Sequence, residues 1–326
     1  MRTIVRKSFG GPEVLTIEDQ PAPQAKAGHV LIEVKAFGVN QAETHMRSGD
    51  WPEAAPISGI ECVGLVRDCG DGRLQRGQKV AALMGGMGRT INGSYAEFTC
   101  PPATNVVPIQ TELEWAEFAA IPESYATAWA CIHGNLALAA GQTLVIRGAT
   151  SALGQAALNI AVHAGAQVIA TTRNPSRIAA LEALGAVHVL LEDPGLSKRV
   201  REMHTAGVDC VLELVGNRTL LDSLAMVRRD GRLCLAGFLG GLMPISNFNP
   251  LLQMPSGVHF SFFGSFMFGT PGFPLSDVPL QTIVDRVAAG IYRAKPTRVF
   301  RFDEIGEAHR VMESSAANGK LVVIIR

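Results

Sequence analysis

The sequence predicts an α/β protein: a doubly wound parallel sheet joined to a second, β-rich domain. Two observations carry this. From Gly141 to Arg177 the chain reads as strand, tight turn, helix and strand, and similar alternation runs on to Gly237. Before residue 120, short strand patterns are punctuated by Phe9-Gly10-Gly11-Pro12, Pro21-Ala22-Pro23 and Gly85-Gly86, with little helical period. At 326 residues the chain is long enough for two domains with sizeable cores.

Thr143-Leu144-Val145-Ile146 is an apolar run of the kind that a parallel sheet buries. It breaks at Gly148-Ala149-Thr150-Ser151-Ala152-Leu153-Gly154, where every side chain but one is small. Ala157, Leu158, Ile160, Ala161 and Ala164 then follow helical spacing, Gly165 closes the helix, and Val168-Ile169-Ala170 supplies a second buried strand. A helix start offers unpaired N–H groups and the positive end of its dipole, which suits a pyrophosphate if no side chain blocks the approach. An ordinary crossover with a small-residue turn has the same local pattern. The strand before, the helix after and the second strand supply the context for a dinucleotide site. Gly148, Thr150, Ser151, Ala152, Leu153 and Gly154 are its expected lining, on a Rossmann sheet.

The end of the second strand selects between dinucleotides. An NAD site usually has an acid there to hold the adenosine ribose. This chain has Thr171-Thr172-Arg173-Asn174, then Arg177, with no acid until Glu182. Thr172 stands where the acid would be. A 2′-phosphate needs donors and positive charge, and the guanidinium forks of Arg173 and Arg177 supply both. NADP(H) is the expected cofactor, with help from Thr171, although two arginines at a helix start also fit simple solvation.

Further on, 175–184 and 219–227 read as helices, with strands at 187–191, 208–216 and 232–236. Ligands of doubly wound sheets sit outside the carboxyl ends of the strands. Val215, Gly216, Gly237, Phe238 and Leu239 are therefore candidates on the nicotinamide side, although glycines also end strands routinely. The run VHFSFFGSFMF at 258–268 reads as an edge strand covered by a partner subunit, or as the buried last strand of the sheet. The tail, with helices at 280–289 and 305–314 and strands at 299–302 and 321–325, is expected to pack back on the first domain. There, 29–36, 60–66 and 78–83 read as strands, and 114–120 and 123–133 as helices.

Composition narrows the function classes. Lysine plus arginine and aspartate plus glutamate number 29 each, and no basic patch points to nucleic acid. No apolar run reaches the ~18 residues of a membrane span. The first residues enter a strand without the apolar core of a secretion signal. The six cysteines (Cys62, Cys69, Cys100, Cys131, Cys210, Cys234) lack CxxC spacing and suit reduced thiols in the cytoplasm.

Several short motifs together resemble the medium-chain dehydrogenase/reductase superfamily, in particular its zinc-free quinone oxidoreductase branch. They are Phe9-Gly10-Gly11-Pro12-Glu13-Val14-Leu15, Gly38-Val39-Asn40-Gln41-Ala42-Glu43-Thr44, Arg47-Ser48-Gly49, Gly93-Ser94-Tyr95-Ala96-Glu97-Phe98, Ile121-Pro122-Glu123, Thr127-Ala128-Trp129, the 148–154 turn and Gly319-Lys320. The resemblance implies a GroES-like catalytic domain (1–121 and 267–326) split around a Rossmann domain (122–266). It also implies a homodimer joined through sheet edges, and it brings Thr127 and Lys320 to the cofactor side. The branch usually shows A-x-x-G-x-x-G, where this chain has Gly148, Ser151 and Gly154; the Ser151 hydroxyl would add a phosphate contact.

The superfamily's catalytic zinc ligands align with Asn40, Ile60 and Glu123, and isoleucine cannot ligate. The resemblance thus implies no metal. Without one, the hydride acceptor must be activated by conjugation and hydrogen bonds, as in quinones and α,β-unsaturated carbonyls. Asn40 resembles the asparagine whose amide faces the substrate carbonyl in this branch. His45 stands where the branch often has tyrosine; an imidazole can deliver a proton after hydride transfer, or be a surface group without a role. Three readings follow: a quinone reductase, an enone or alkenal (2-enoyl) reductase, and a non-catalytic NADPH-binding protein.

Overall fold

The structure, a computed structural model, describes residues 1–51 and 53–325. Contacts group the chain into two compact units, Met1–Ala126 with Ser265–Arg326, and Thr127–Gly264. No helix among the described residues is long and apolar enough to cross a membrane.

The unit Thr127–Gly264 is a six-stranded sheet with every neighbouring pair parallel. Its order is His188–Leu191, Gln167–Thr172, Thr143–Arg147, Val208–Glu213, Val227–Leu235 and His259–Phe262. Thr143–Arg147 is buried along its whole length because strands flank it on both sides and helices cover both faces. The chain reverses its direction of winding there, which is where such sheets receive ligands. Val145, Ile169, Val211 and Leu233 on the strands pack with Leu196, Val200 and Leu224 from helices.

Two local expectations need correction, and one helix had no expectation. The helix at 219–227 is only Leu220–Leu224, and Val227 opens a strand that runs to Leu235. Its register breaks between Val208↔Val227 and Cys210↔Arg232, so the segment Arg228-Arg229-Asp230-Gly231 bulges out, with Asp230 at φ 61°. Of the run at 258–268, only His259–Phe262 is strand; Ser265–Met267 is a 3-10 turn. The helix Leu196–Met203 was not legible, because only Leu196 and Val200 face the core among charged neighbours.

The other unit holds a seven-stranded mixed sheet. Its path runs Arg298–Arg301, Leu321–Ile324, Val30–Val39, Glu61–Cys69, Lys79–Leu83 and Val106–Pro108, with Phe98–Thr99 added against Val30–Val39. The C-terminal strand pairs antiparallel with Val30–Val39 in the register Leu321↔Val39, so Lys320 arrives beside Asn40. Ile32, Val34, Phe37, Val66, Val80, Phe300 and Val323 form the centre of its core.

Candidate functional site

Two sets of residues qualify, one in each unit. In the first, the helix Ala152–His163 begins directly after Thr143–Arg147, across the 148–154 turn. Gly148 sits at φ 86°, a conformation open to glycine, and a Cβ there would meet Leu239 Cδ1 at 3.0 Å. Gly154 serves helix–strand packing, since a Cβ would stand 2.6 Å from the Gly148 carbonyl oxygen. Ser151 is the N-cap: its Oγ accepts the Gly154 N–H at 3.0 Å and donates to the Gly148 carbonyl at 2.9 Å. This corrects the expected phosphate contact, because the Ser151 hydroxyl proton is already committed. The N–H groups of Ala152 and Leu153, with the helix dipole, are what the turn presents. Thr150, Ser151, Ala152 and Leu153 are half-buried around them.

At the end of the neighbouring strand, Thr171 is fully buried. Its hydroxyl accepts the Gly148 N–H at 3.1 Å and donates to Glu192 Oε1 at 2.6 Å. Thr171 therefore braces the turn and has no donor for a ligand, contrary to expectation. Thr172 Oγ1 accepts the Asn174 N–H at 3.1 Å and shapes the exit from the strand. Arg173 is exposed and Arg177 half-buried just beyond it.

Glu192, at the end of the next strand, is an acid that sequence order hid. Its carboxylate is paired with Arg147 (Nη2 at 2.9 Å), which also meets Asp222 at 2.8 Å while being 2% exposed. The strand that ends at Thr172 still has no acid of its own, and the Glu192 carboxylate beside it is turned onto Arg147. No motif signals it, since Arg147 and Glu192 meet only through the strand order.

Val215 and Gly216 follow the strand Val208–Glu213, and both donate their N–H to Glu213 Oε1, at 2.7 and 2.9 Å. Gly216 has φ 101°, and a Cβ on Gly237 would lie 2.7 Å from the Leu214 carbonyl oxygen. These glycines have a packing reason of their own. Phe238 is half-buried and Leu239 is 41% exposed at this rim. Thr127 is buried at 1% exposure.

The second set lies in the other unit. Asn40 is the N-cap of the helix Gln41–Ser48, and Glu43 Oε2 accepts its backbone N–H at 2.8 Å. Glu43 Oε1 accepts the Ile60 N–H at 3.1 Å. Burial pushes the Glu43 carboxyl up to about 7, against the pull of these N–H groups and of Lys320. The Asn40 side chain donates from Nδ2 to Glu61 Oε1 at 2.9 Å. Lys320 Nζ donates to Asn40 Oδ1 at 2.5 Å, Glu61 Oε1 at 2.5 Å and Ser124 Oγ at 3.2 Å. Lys320, expected on the cofactor side, spends its three donors inside this cluster and is 4% exposed. Sequence alone does not single out Glu43, Glu61 or Ser124, because no local pattern marks these polar residues as buried.

His45 lies on the same helix, its side chain 13% exposed, with Nδ1 3.6 Å from Asp50 Oδ2. Its Nε2 is buried without a hydrogen-bond partner among the described residues. At the positions aligned with zinc ligands, Asn40 belongs to the cluster above, Ile60 is 3% exposed, and the Glu123 N–H donates to Glu61 Oε2 at 2.8 Å.

Comparison with known proteins agrees with this architecture. A model of the alcohol dehydrogenase GroES-like domain matches residues 26–111, and one of a zinc-binding dehydrogenase domain matches residues 152–275. The quinone oxidoreductase of Lama guanicoe is 27% identical over 339 residues, covering 100% of this chain and 98% of that protein. The quinone oxidoreductase of Homo sapiens is 27% identical over 338 residues with the same coverage, 100% and 98%. Among solved structures, a mycobacterial protein complexed with NADPH has a TM-score of 0.88 at 26% identity, covering 99% of each chain. The Escherichia coli quinone oxidoreductase complexed with NADPH shares the fold, at TM-score 0.87 and 22% identity over 99% of this chain and 100% of that one. The chain belongs to the medium-chain dehydrogenase/reductase superfamily. Within it, the chain is quinone oxidoreductase-like.

Proposed function

We propose that the protein is a zinc-independent, NADPH-dependent oxidoreductase that passes hydride to a quinone or a related conjugated carbonyl. The observation that carries this is the open helix start at Ala152 and Leu153, set beside a strand end that bears Thr172 and Arg173. The turn fits a dinucleotide, since Gly148 and Gly154 keep its floor low and Ser151 caps the helix without projecting charge. Ala152 and Leu153 N–H groups would hold the pyrophosphate, and Arg173 and Arg177 the 2′-phosphate. When bound, NADPH supplies the hydride. Full-length relatives named quinone oxidoreductase, and a related structure holding NADPH, support the same reading.

Asn40 and His45 carry the substrate roles in this reading: the Asn40 amide donates to the acceptor's carbonyl oxygen and the His45 imidazole delivers a proton. Donor chemistry supports zinc independence: Ile60 offers no ligand atom, and the Asn40 amide is engaged by Glu61 and Lys320. Two copies of the chain meet along His259–Phe262, the outermost strand of its sheet, where Phe260 is 38% and Phe262 50% exposed.

Steady-state oxidation of NADPH with a panel of quinones and enones tests the reading, with elemental analysis and a chelator control. Turnover of quinones by metal-free protein is expected. Turnover of enones alone would reassign the acceptor, tight NADPH binding with no turnover would make it a binding protein, and one zinc per chain lost together with activity would overturn the metal-free mechanism.

A further inference from the structure

Asn40 is held more firmly than a capping asparagine requires. Lysine can only donate, so the Asn40 atom 2.5 Å from Lys320 Nζ is the carbonyl oxygen. The Nδ2 group then faces Glu61 Oε1 at 2.9 Å, with a longer 3.5 Å approach to Glu43 Oε1. That last contact is long for a hydrogen bond, and a ligand oxygen at ordinary distance would take the hydrogen over. Lys320 and Glu61 are themselves bonded at 2.5 Å, 4% and 0% exposed. Gly38 makes room for them: a Cβ there would collide with Glu61 Oε1 and Lys320 Cε. Three segments far apart in sequence thus converge on one amide.

We propose that Lys320 is a positioning residue, which with Glu61 pins the Asn40 carbonyl inward and leaves an amide N–H for the substrate's carbonyl oxygen. This rests on the substrate role given to Asn40 above. An amide turned the other way would set its own carbonyl oxygen against that of the substrate, which repels. Lys320 does its work through orientation and touches neither substrate nor cofactor.

Removing Lys320 alone strands the Glu61 carboxylate in the interior, so the test uses the charge-balanced pair Lys320→Met with Glu61→Gln, together with Lys320→Arg, which keeps the charge. Each is made with Asn40 intact and with Asn40→Ala. The expected result is a fall in kcat of about tenfold or more in the paired variant, KM for NADPH unchanged, and no further fall once Asn40 is alanine. Lys320→Arg should fall between wild type and the paired variant. An equal loss in both Asn40 backgrounds would make the cluster merely structural and overturn the proposal. So would unchanged kcat in the paired variant where Asn40→Ala lowers it. If no acceptor is turned over by wild type, the reading of function fails instead, and a crystal structure of the paired variant still decides positioning. An Asn40 amide that swings away supports the proposal, and one that keeps its place overturns it.

Discussion

Arg47 Nη1 lies 3.2 Å from His309 Nδ1, 262 positions further along the chain, with both side chains buried. Arginine only donates, so Nδ1 accepts, the imidazole is neutral, and its Nε2–H donates to Tyr95 Oη at 3.0 Å. Arg47 also donates to the Gly10 carbonyl at 3.0 Å and pairs with Glu313. The helix that carries Asn40 and His45 is thereby bolted to the C-terminal helix Ile305–Glu313.

Burial, and then the Arg47 charge, hold His309 down at about 3. An unfolded imidazole titrates near 6.5, so the unfolded chain binds the extra proton between these values. Stability from this site is complete above about pH 6.5 and is lost as pH falls toward 3. His309→Phe should abolish that slope. It should also lower stability at neutral pH by about 2–4 kcal/mol, because Arg47 and Tyr95 each lose a buried partner. Urea unfolding across the acid range checks it, and an unaltered slope in the variant would refute the assignment.

Glu43 works in the opposite sense. Its folded carboxyl is raised to about 7, led by burial, so the folded chain binds the extra proton. The stability it contributes is full below about pH 4.5 and is lost as pH rises through 7, about 3 kcal/mol across the window. Glu43→Gln should flatten this loss while being less stable in acid, since one of the Asn40 and Ile60 N–H groups then faces an amide NH₂. The measurement is the difference in unfolding free energy between mildly acidic and mildly basic buffer, wild type against variant. A difference of equal size in both would show that Glu43 does not titrate there.

Preference for NADPH over NADH is expected from Arg173, with a smaller share from Arg177. Each charge-assisted bond is worth roughly 1.5–3 kcal/mol, so two give on the order of a hundredfold or more before solvent screening. Arg173→Ala should weaken NADPH binding and leave NADH nearly unchanged. Thr172→Asp keeps the bond to the Asn174 N–H, adds a ribose acceptor and repels the phosphate, so it should favour NADH. Titration of each variant with both cofactors decides this, and equal affinities in the wild type would make the arginines a solvated helix start.

Phe262→Asp should shift the protein toward monomer, because a charge on His259–Phe262 would be desolvated and unpaired in a contact between copies. Sedimentation at micromolar concentration reads the mass. A wild type already monomeric there would dismiss the edge-to-edge contact.

What the sequence by itself determined is what neighbouring residues decide among themselves. The 148–154 turn, its glycines, and the flanking strands and helix were legible because the backbone demands are met within one contiguous stretch. Thr172 and Arg173 were legible in the same way, as the end of the strand that follows. The partners of buried polar groups were not. Ser151 and Thr171 looked like spare hydroxyls until the turn closed on them. Glu192 looked irrelevant until strand order set it against Arg147. Lys320 reaches Asn40 across 280 positions only through the pairing of Leu321 with Val39. A buried charge or amide must find its partner wherever the sheet register delivers one, and that is a property of the tertiary fold rather than of any local stretch.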